Sequence, residues 1–271
     1  MSRMTMRGRP LDGLRFAITL FTVIPVRTNR VIPADGVTGA DRVDRETARW
    51  AMALAPVIGL IVGGAAALVL LVGGWLGFGS LVSAALAVAA MAAVTRGLHL
   101  DGLADLADGL GSGRPAGEAL AIMKKSDIGA FGVITLVLTL VIQVAAVAEA
   151  PVTGVIVAAV AGRLAVTWAC RERVPAARPD GLGHLVAGTI RPQVAVAATA
   201  GVVGFAALIG LAAGGPRAAL IMSAAAVVGL AVALVALEHV IRRLGGVTGD
   251  VLGALVEIAT MTTLLLTIPV D

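Results

Sequence analysis

Long apolar runs separated by short polar breaks dominate the chain from residue 50 onward. A helix that crosses a bilayer needs about 20 mostly apolar residues. Seven segments reach or approach that length: 50–76, 80–95, 128–148, 151–170, 192–213, 217–240 and 250–269. The second is short at its charged end. The first is long and carries Pro56, which invites a tilt or a kink. Trp50, Trp75 and Trp168 sit near span ends, where aromatic anchors collect. Ahead of these spans, LRFAITLFTVIPV (14–26) is apolar but too short to cross. Arginines around it give it the outline of a signal peptide, yet no small-x-small cleavage pattern follows, only RTNR. A re-entrant or interfacial segment is expected there, and the polar residues 27–49 read as a cytoplasmic connector. No internal repeat stands out, so 1–271 reads as a single membrane-embedded domain.

One segment breaks the pattern. GLHLDGLADLADGLGSGRP (97–115) is amphipathic rather than uniformly apolar. At about 100° per residue, Asp101, Asp105 and Asp108 fall within an arc of about 60° on one helix face. Leu103, Leu106 and Leu110 fall on the opposite face, so an amphipathic helix is expected beside the membrane.

Composition narrows the class. Hydrophobic residues make up 58% of the chain and charged residues 14%, with a mean hydropathy of +0.97. A single soluble core cannot hide that much apolar surface. The single cysteine, Cys170, excludes a disulfide framework. Abundant Gly and Ala suit helices packed closely in lipid. The fold class is therefore an all-α integral membrane protein. It has about seven transmembrane helices, an N-terminal re-entrant or interfacial segment and a cytoplasmic amphipathic helix.

Charge then orients the bundle. The formal net charge is +4, which in a soluble protein would suggest nucleic acid. Here every Lys and Arg except Arg163 and Arg217 falls on alternate loops, so the lipid bilayer is the partner and no nucleic acid is expected. The positive-inside rule places the N-terminus and the polar loops in the cytoplasm and the C-terminus outside, in a multi-pass cell-membrane protein.

Three carboxylates on one stripe repel one another, and no Lys or Arg three or four residues away neutralises them. A hard cation, Mg²⁺, bridging to phosphate oxygens would account for them; a plain solvated helix face is the alternative. His99 lies off the stripe and fits packing or capping as well as catalysis. IMKKSDIGAFG (122–132) brings Lys124, Lys125, Ser126 and Asp127 to a span start, where Ser126 or Asp127 could instead cap the helix. Arg163 lies within a span and needs a partner or an anionic ligand. Arg178 sits in the glycine-broken RPDGLGH (178–184). GGVTGDVLGALVE (245–257) sets Thr248 and Asp250 at the mouth of the last span and Glu257 two turns inside, a costly place for a lone carboxylate.

At these residues the sequence resembles the cobalamin synthase, or adenosylcobinamide-GDP ribazoletransferase, family. HLDGLADLADGLG resembles that family's H-x-D-G-x-A-D-x-x-D-G signature. IMKKSDIGAFG, LRFAITLFTVIPV and GGVTGDVLGALVE resemble its other blocks, in the expected order from residue 14 to 257. Three departures stand out. Lys125, Ser126 and Asp127 stand where the family usually has Asp, Ser and a basic residue. Val23 replaces a frequent basic residue, and Val251 a frequent Thr.

The resemblance implies a membrane enzyme that joins adenosylcobinamide-GDP to α-ribazole or its 5′-phosphate and releases GMP, with Mg²⁺ as cofactor. It implies Mg²⁺ on Asp101, Asp105 and Asp108, with His99 or a carboxylate as base. Lys124, Arg163 and Arg178 would contact phosphate, with Thr248 and Asp250 beside the substrate. Asp127 would do the work of the family's usual aspartate two positions earlier. Rival readings are another Mg²⁺-dependent membrane phosphotransferase or prenyltransferase, such as a CDP-alcohol phosphotransferase, and a transporter. Oligomeric state, including a homo-oligomer, stays open.

Overall fold

The computed structural model describes residues 9–26 and 43–269. The ends of the chain, with the C-terminal Asp271, and most of the 27–49 connector lie outside the described residues. Eleven helices make up the described chain. They are α1 (Arg9–Phe21), α2 (Arg45–Ala53), α3 (Ala55–Trp75), α4 (Ser80–Val94), α5 (Leu98–Gly111), α6 (Ala116–Met123), α7 (Ala130–Glu149), α8 (Val152–Ala169), α9 (Gly181–Val186), α10 (Pro192–Leu244) and α11 (Gly249–Leu266). Five helices are long and apolar enough to cross a membrane, and the bent α4–α5 pair would make a sixth. Among the described residues the only β pairing is two isolated bridges, Arg171 with Ile190 and Ala176 with Val247.

α8 is the axis of the bundle. Its most apolar window is 78% buried, against 28% for α7. Its sequence, VTGVIVAAVAGRLAVTWA, offers small side chains on every face, so α3, α10 and α11 all pack on it. Gly59 and Gly63 of α3 form a G-x-x-x-G pair. A Cβ on Gly59 would lie 2.5 Å from the Val160 Cα, and one on Gly63 2.9 Å from the Ile156 Cα. Backbones meet there directly, the usual way helices associate where lipid removes the hydrophobic drive. The outer faces are apolar: Leu68, Leu71, Val141, Leu208 and Val235 are 62–70% exposed.

Three breaks shape the bundle. The expected span at 50–76 divides at Leu54 into amphipathic α2 and apolar α3, with Pro56 in the first turn of α3, where its missing N–H costs nothing. The chain is therefore two helices rather than one long kinked span. Arg96 (φ 55°) and Gly97 (φ 67°) both take left-handed conformations and swing α5 away from α4 by 88°. Gly214 and Gly215 interrupt α10 just before Pro216. There the helix folds back: Gly210 abuts Ala218 and Ala219, and the Ser223 hydroxyl donates to the Val203 carbonyl at 3.4 Å. The limbs 192–213 and 216–244 are thus antiparallel, as the two separate apolar runs of the sequence require.

α1 is 13 residues long, too short to span. It buries Phe16, Ala17, Leu20 and Phe21, and its Gly13 sits against Trp50 of α2. The helix ends sort by chemistry. Pro151, Gly214, Arg217 and Thr267–Pro269 meet around one largely apolar recess at one end. The starts of α7 and α11, α9 and the Arg171–Arg191 segment gather with α5 at the other.

Candidate functional site

α5 lies across the mouth of the bundle against α11 and α7. Its leucine face is buried, with Leu103 at 7% and Leu106 at 5% exposure, and its aspartate face looks the other way. Two glycines allow the close crossing with α11. A Cβ on Gly102 would stand 2.6 Å from the Asp250 carbonyl oxygen, and one on Gly253 3.1 Å from the His99 Cα. That crossing brings Asp250 to the stripe. Burial, and then the charges of Asp101, Asp250 and Asp108, push the Asp105 carboxyl up to about 7, with Arg178 pulling the other way. Asp101, Asp105 and Asp250 therefore form a carboxylate cluster with one nearby guanidinium.

The surrounding segments are pinned by backbone pairing. Ala177 N–H donates to the Val247 carbonyl (3.0 Å) and Val247 N–H to the Pro175 carbonyl (2.9 Å), which sets Arg178 beside the start of α11. Arg178 Nη2 also donates to the Leu120 carbonyl at 2.5 Å. Thr248 caps α11: its hydroxyl accepts from Val251 N–H at 3.3 Å and donates to Asp250 Oδ2 at 3.1 Å. Lys124 lies at the rim, 3.7 Å from Asp180.

Asp108 is placed differently from its two neighbours on the stripe. It is 8% exposed. Its carboxylate accepts from Gly129 N–H at 2.7 Å and from Gly132 N–H at 2.8 Å. The cap of α7 is thus a residue from α5, whereas Ser126 and Asp127, the local candidates, are exposed.

A second polar group lies inside the bundle. His99 and Arg163 are each 2% exposed, and Gln143 is 5%. Arg163 Nη2 faces His99 Nδ1 at 3.3 Å and Nη1 donates to the Ala159 carbonyl at 3.2 Å. A guanidinium only donates, so Nδ1 accepts and the imidazole is neutral. Gln143 Nε2 donates to Glu257 Oε2 at 2.6 Å. Arg163 and Glu257 attract each other across the group and line a small cavity with Thr95 and Gln143. His99 and Arg163 are thus buried partners, while Lys124 and Arg178 are at the mouth.

The family resemblance sets Asp250 beside the substrate without joining it to the stripe, and nothing in the sequence singles out Gln143. The signal for Asp250 is the pair Gly102 and Gly253, which becomes readable only once the two helices are known to cross. Among the described residues no three His, Cys, Asp or Glu side chains close into a ready-made metal cage.

Comparison with known proteins covers nearly the whole chain. Residues 13–268 match the cobalamin-5-phosphate synthase family. The adenosylcobinamide-GDP ribazoletransferase of Frankia casuarinae is 44% identical, over 94% of this chain and 95% of its own. Proteins of the same name from a Nocardioides species (40% identical, 94% and 97% covered) and Bradyrhizobium diazoefficiens (37%, 94% and 92%) are similar throughout. No solved structure matches. A match spanning the carboxylate helix, the capped start of α7 and the mouth of α11 leaves one conclusion: this chain belongs to the cobalamin-5-phosphate synthase family.

Proposed function

We propose that the protein is a membrane-embedded adenosylcobinamide-GDP ribazoletransferase. The observation that carries this is the open cluster of Asp101, Asp105 and Asp250 beside Arg178, in a chain that matches the family over residues 13–268. A ribazole hydroxyl oxygen attacks the phosphorus nearer cobinamide. The bond from that phosphorus to the bridging oxygen breaks and GMP leaves, while the hydroxyl proton passes to a carboxylate of the cluster. Arg178 and Lys124 hold phosphate oxygens. One or two carboxylates of the Asp101, Asp105 and Asp250 cluster, together with substrate phosphate, would hold Mg²⁺, which would supply charge neutralisation for the diphosphate and the leaving phosphate. Most of the rate in such a transfer comes from positioning and electrostatics, which pinned loops around a fixed helix crossing provide.

The helices fit seven spans: α3, α4, α7, α8, the two limbs of α10, and α11, with α1 lying along the interface. The charged end faces the cytoplasm of a cell membrane and the C-terminus lies outside. Purified protein given adenosylcobinamide-GDP and α-ribazole, or its 5′-phosphate, should yield adenosylcobalamin, or its phosphate, and GMP by mass spectrometry. No product in the presence of Mg²⁺ would overturn the reading. A reporter fused after Asp271 should report a non-cytoplasmic location, and a cytoplasmic signal would remove or add one span.

A further inference from the structure

Asp108 shares the stripe with Asp101 and Asp105, but its surroundings set it a different task. Both of its oxygens are taken by backbone N–H groups, at 2.7 and 2.8 Å. The first turn of a helix leaves four such donors without partners, and its partial positive charge favours an anion there. Charge-assisted bonds of this length are among the stronger ones in proteins. The slot is closed to anything larger. A Cβ on Gly129 would stand 2.5 Å from Asp108 Oδ1, and one on Gly132 2.5 Å from Oδ2.

The neighbours of Asp108 along α5 complete the fixture. Gly109 seats Met123, the last residue of α6, and Gly111 seats Phe131 in the first turn of α7. The segment 124–128, with Lys124, Lys125 and Asp127, is therefore fastened to α5 at both ends. Asp108 is the polar half of that fastening.

We infer that Asp108 is a positioning residue rather than a metal ligand: it clamps the start of α7 to α5 and so fixes the Lys124–Asp127 loop relative to the helix that carries Asp101 and Asp105. This rests on the proposed diphosphate chemistry for the loop's target, while the clamp itself rests on the two amide contacts.

The test compares Asp108→Asn with Asp105→Asn in purified full-length protein. Asparagine keeps one acceptor and turns an N–H donor toward the second amide, so one bond is lost. Hydrogen exchange in the peptide spanning 126–133 should quicken at least 10-fold in Asp108→Asn and stay unchanged in Asp105→Asn. Mn²⁺ titration followed by electron paramagnetic resonance should show Asp105→Asn weakened at least 10-fold and Asp108→Asn within 3-fold of the unaltered protein. The KM for adenosylcobinamide-GDP should rise at least 5-fold in Asp108→Asn.

Gly129→Ala crowds the same contact without touching a carboxylate and should reproduce the exchange and KM changes, which covers the case in which Asp108→Asn fails to fold. Equal loss of Mn²⁺ by both aspartate variants would make Asp108 a ligand and overturn the inference. An unchanged KM with only less folded protein would reduce Asp108 to a structural cap and overturn it too. If the unaltered protein binds no Mn²⁺, the metal reading falls, and the exchange and KM results still decide the clamp.

Discussion

The two polar regions of this bundle use similar residues in opposite ways. At the mouth, Asp101, Asp105 and Asp250 crowd together with Arg178 as the nearby positive charge, and burial with mutual repulsion pushes Asp105 up to about 7. In the interior, Glu257 has Gln143 at 2.6 Å, and Arg163 has His99 at 3.3 Å and the opposite charge of Glu257. The interior charges are opposed, although His99 Nε2 and Arg163 Nε have no hydrogen-bond partner; the mouth carboxylates outnumber the guanidinium beside them. The proposed function assigns the chemistry to the region whose charge is left unbalanced and an architectural part to the region whose charges are opposed.

The comparison is sharpened most by removing single mouth carboxylates. Asp101→Asn and Asp105→Asn should each lower turnover at least ~100-fold, the scale of lost electrostatic stabilisation at a transferring group. The thermal midpoint should hold or rise, because a repulsive charge is gone. Excess EDTA should stop turnover of the unaltered enzyme in the same assay. A falling midpoint with normal kinetics would reverse the roles of the two regions.

Next in size, Glu257→Leu should cost about 3 kcal/mol of stability, since it leaves the Arg163 charge buried without its opposite. Adding Arg163→Met should restore most of that loss, because removing the second charge leaves no buried charge without its opposite. Thermal unfolding in detergent reads both. If the double variant stays folded yet inactive, the interior group takes part in the chemistry and the distinction breaks.

Gly102→Ala tests the seam between the regions. The new methyl meets the Asp250 backbone, and overpacking of this kind costs about 1–3 kcal/mol. Because it also pushes α5 off α11, turnover should fall along with the midpoint. Loss of one without the other would show that the helix crossing does not set the cluster. The smallest effect is expected from Thr248→Ala. It removes the side-chain cap of α11, worth about 1 kcal/mol, and the hydroxyl that holds Asp250. Turnover should drop severalfold in steady-state kinetics, well short of the loss in Asp101→Asn.

Much of this was readable along the chain. The seven apolar segments correspond to helices or limbs of helices, and the 3.6-residue period put Asp101 and Asp105 opposite Leu103 and Leu106, as found. The gaps between the expected segments, at 95–97 and 213–217, also contain the structural breaks at Gly97 and Gly214–Pro216. Local rules misjudged 50–76 because Pro56 was weighed as a kink inside a helix rather than as the first turn of a new one. Pairings across the bundle were out of reach. The cap of α7 comes from 21 residues earlier in the chain, and the partner of Glu257 from 114 residues away. Periodicity reports which face a residue occupies and carries no information on which other helix that face will meet.

The three described turns at the Arg217 end of the bundle are very short: residues 76–79, 150–151 and 214–215. The hairpin in α10 is the extreme case, with only Gly214 and Gly215 between its limbs. For biogenesis this means that each helix pair can enter the bilayer as a unit, with almost no hydrophilic chain to carry across. The charge of Arg217 is the main polar cargo of that hairpin. All the long polar segments among the described residues lie at the opposite end, so in the proposed orientation the carboxylate-bearing face would assemble without translocation.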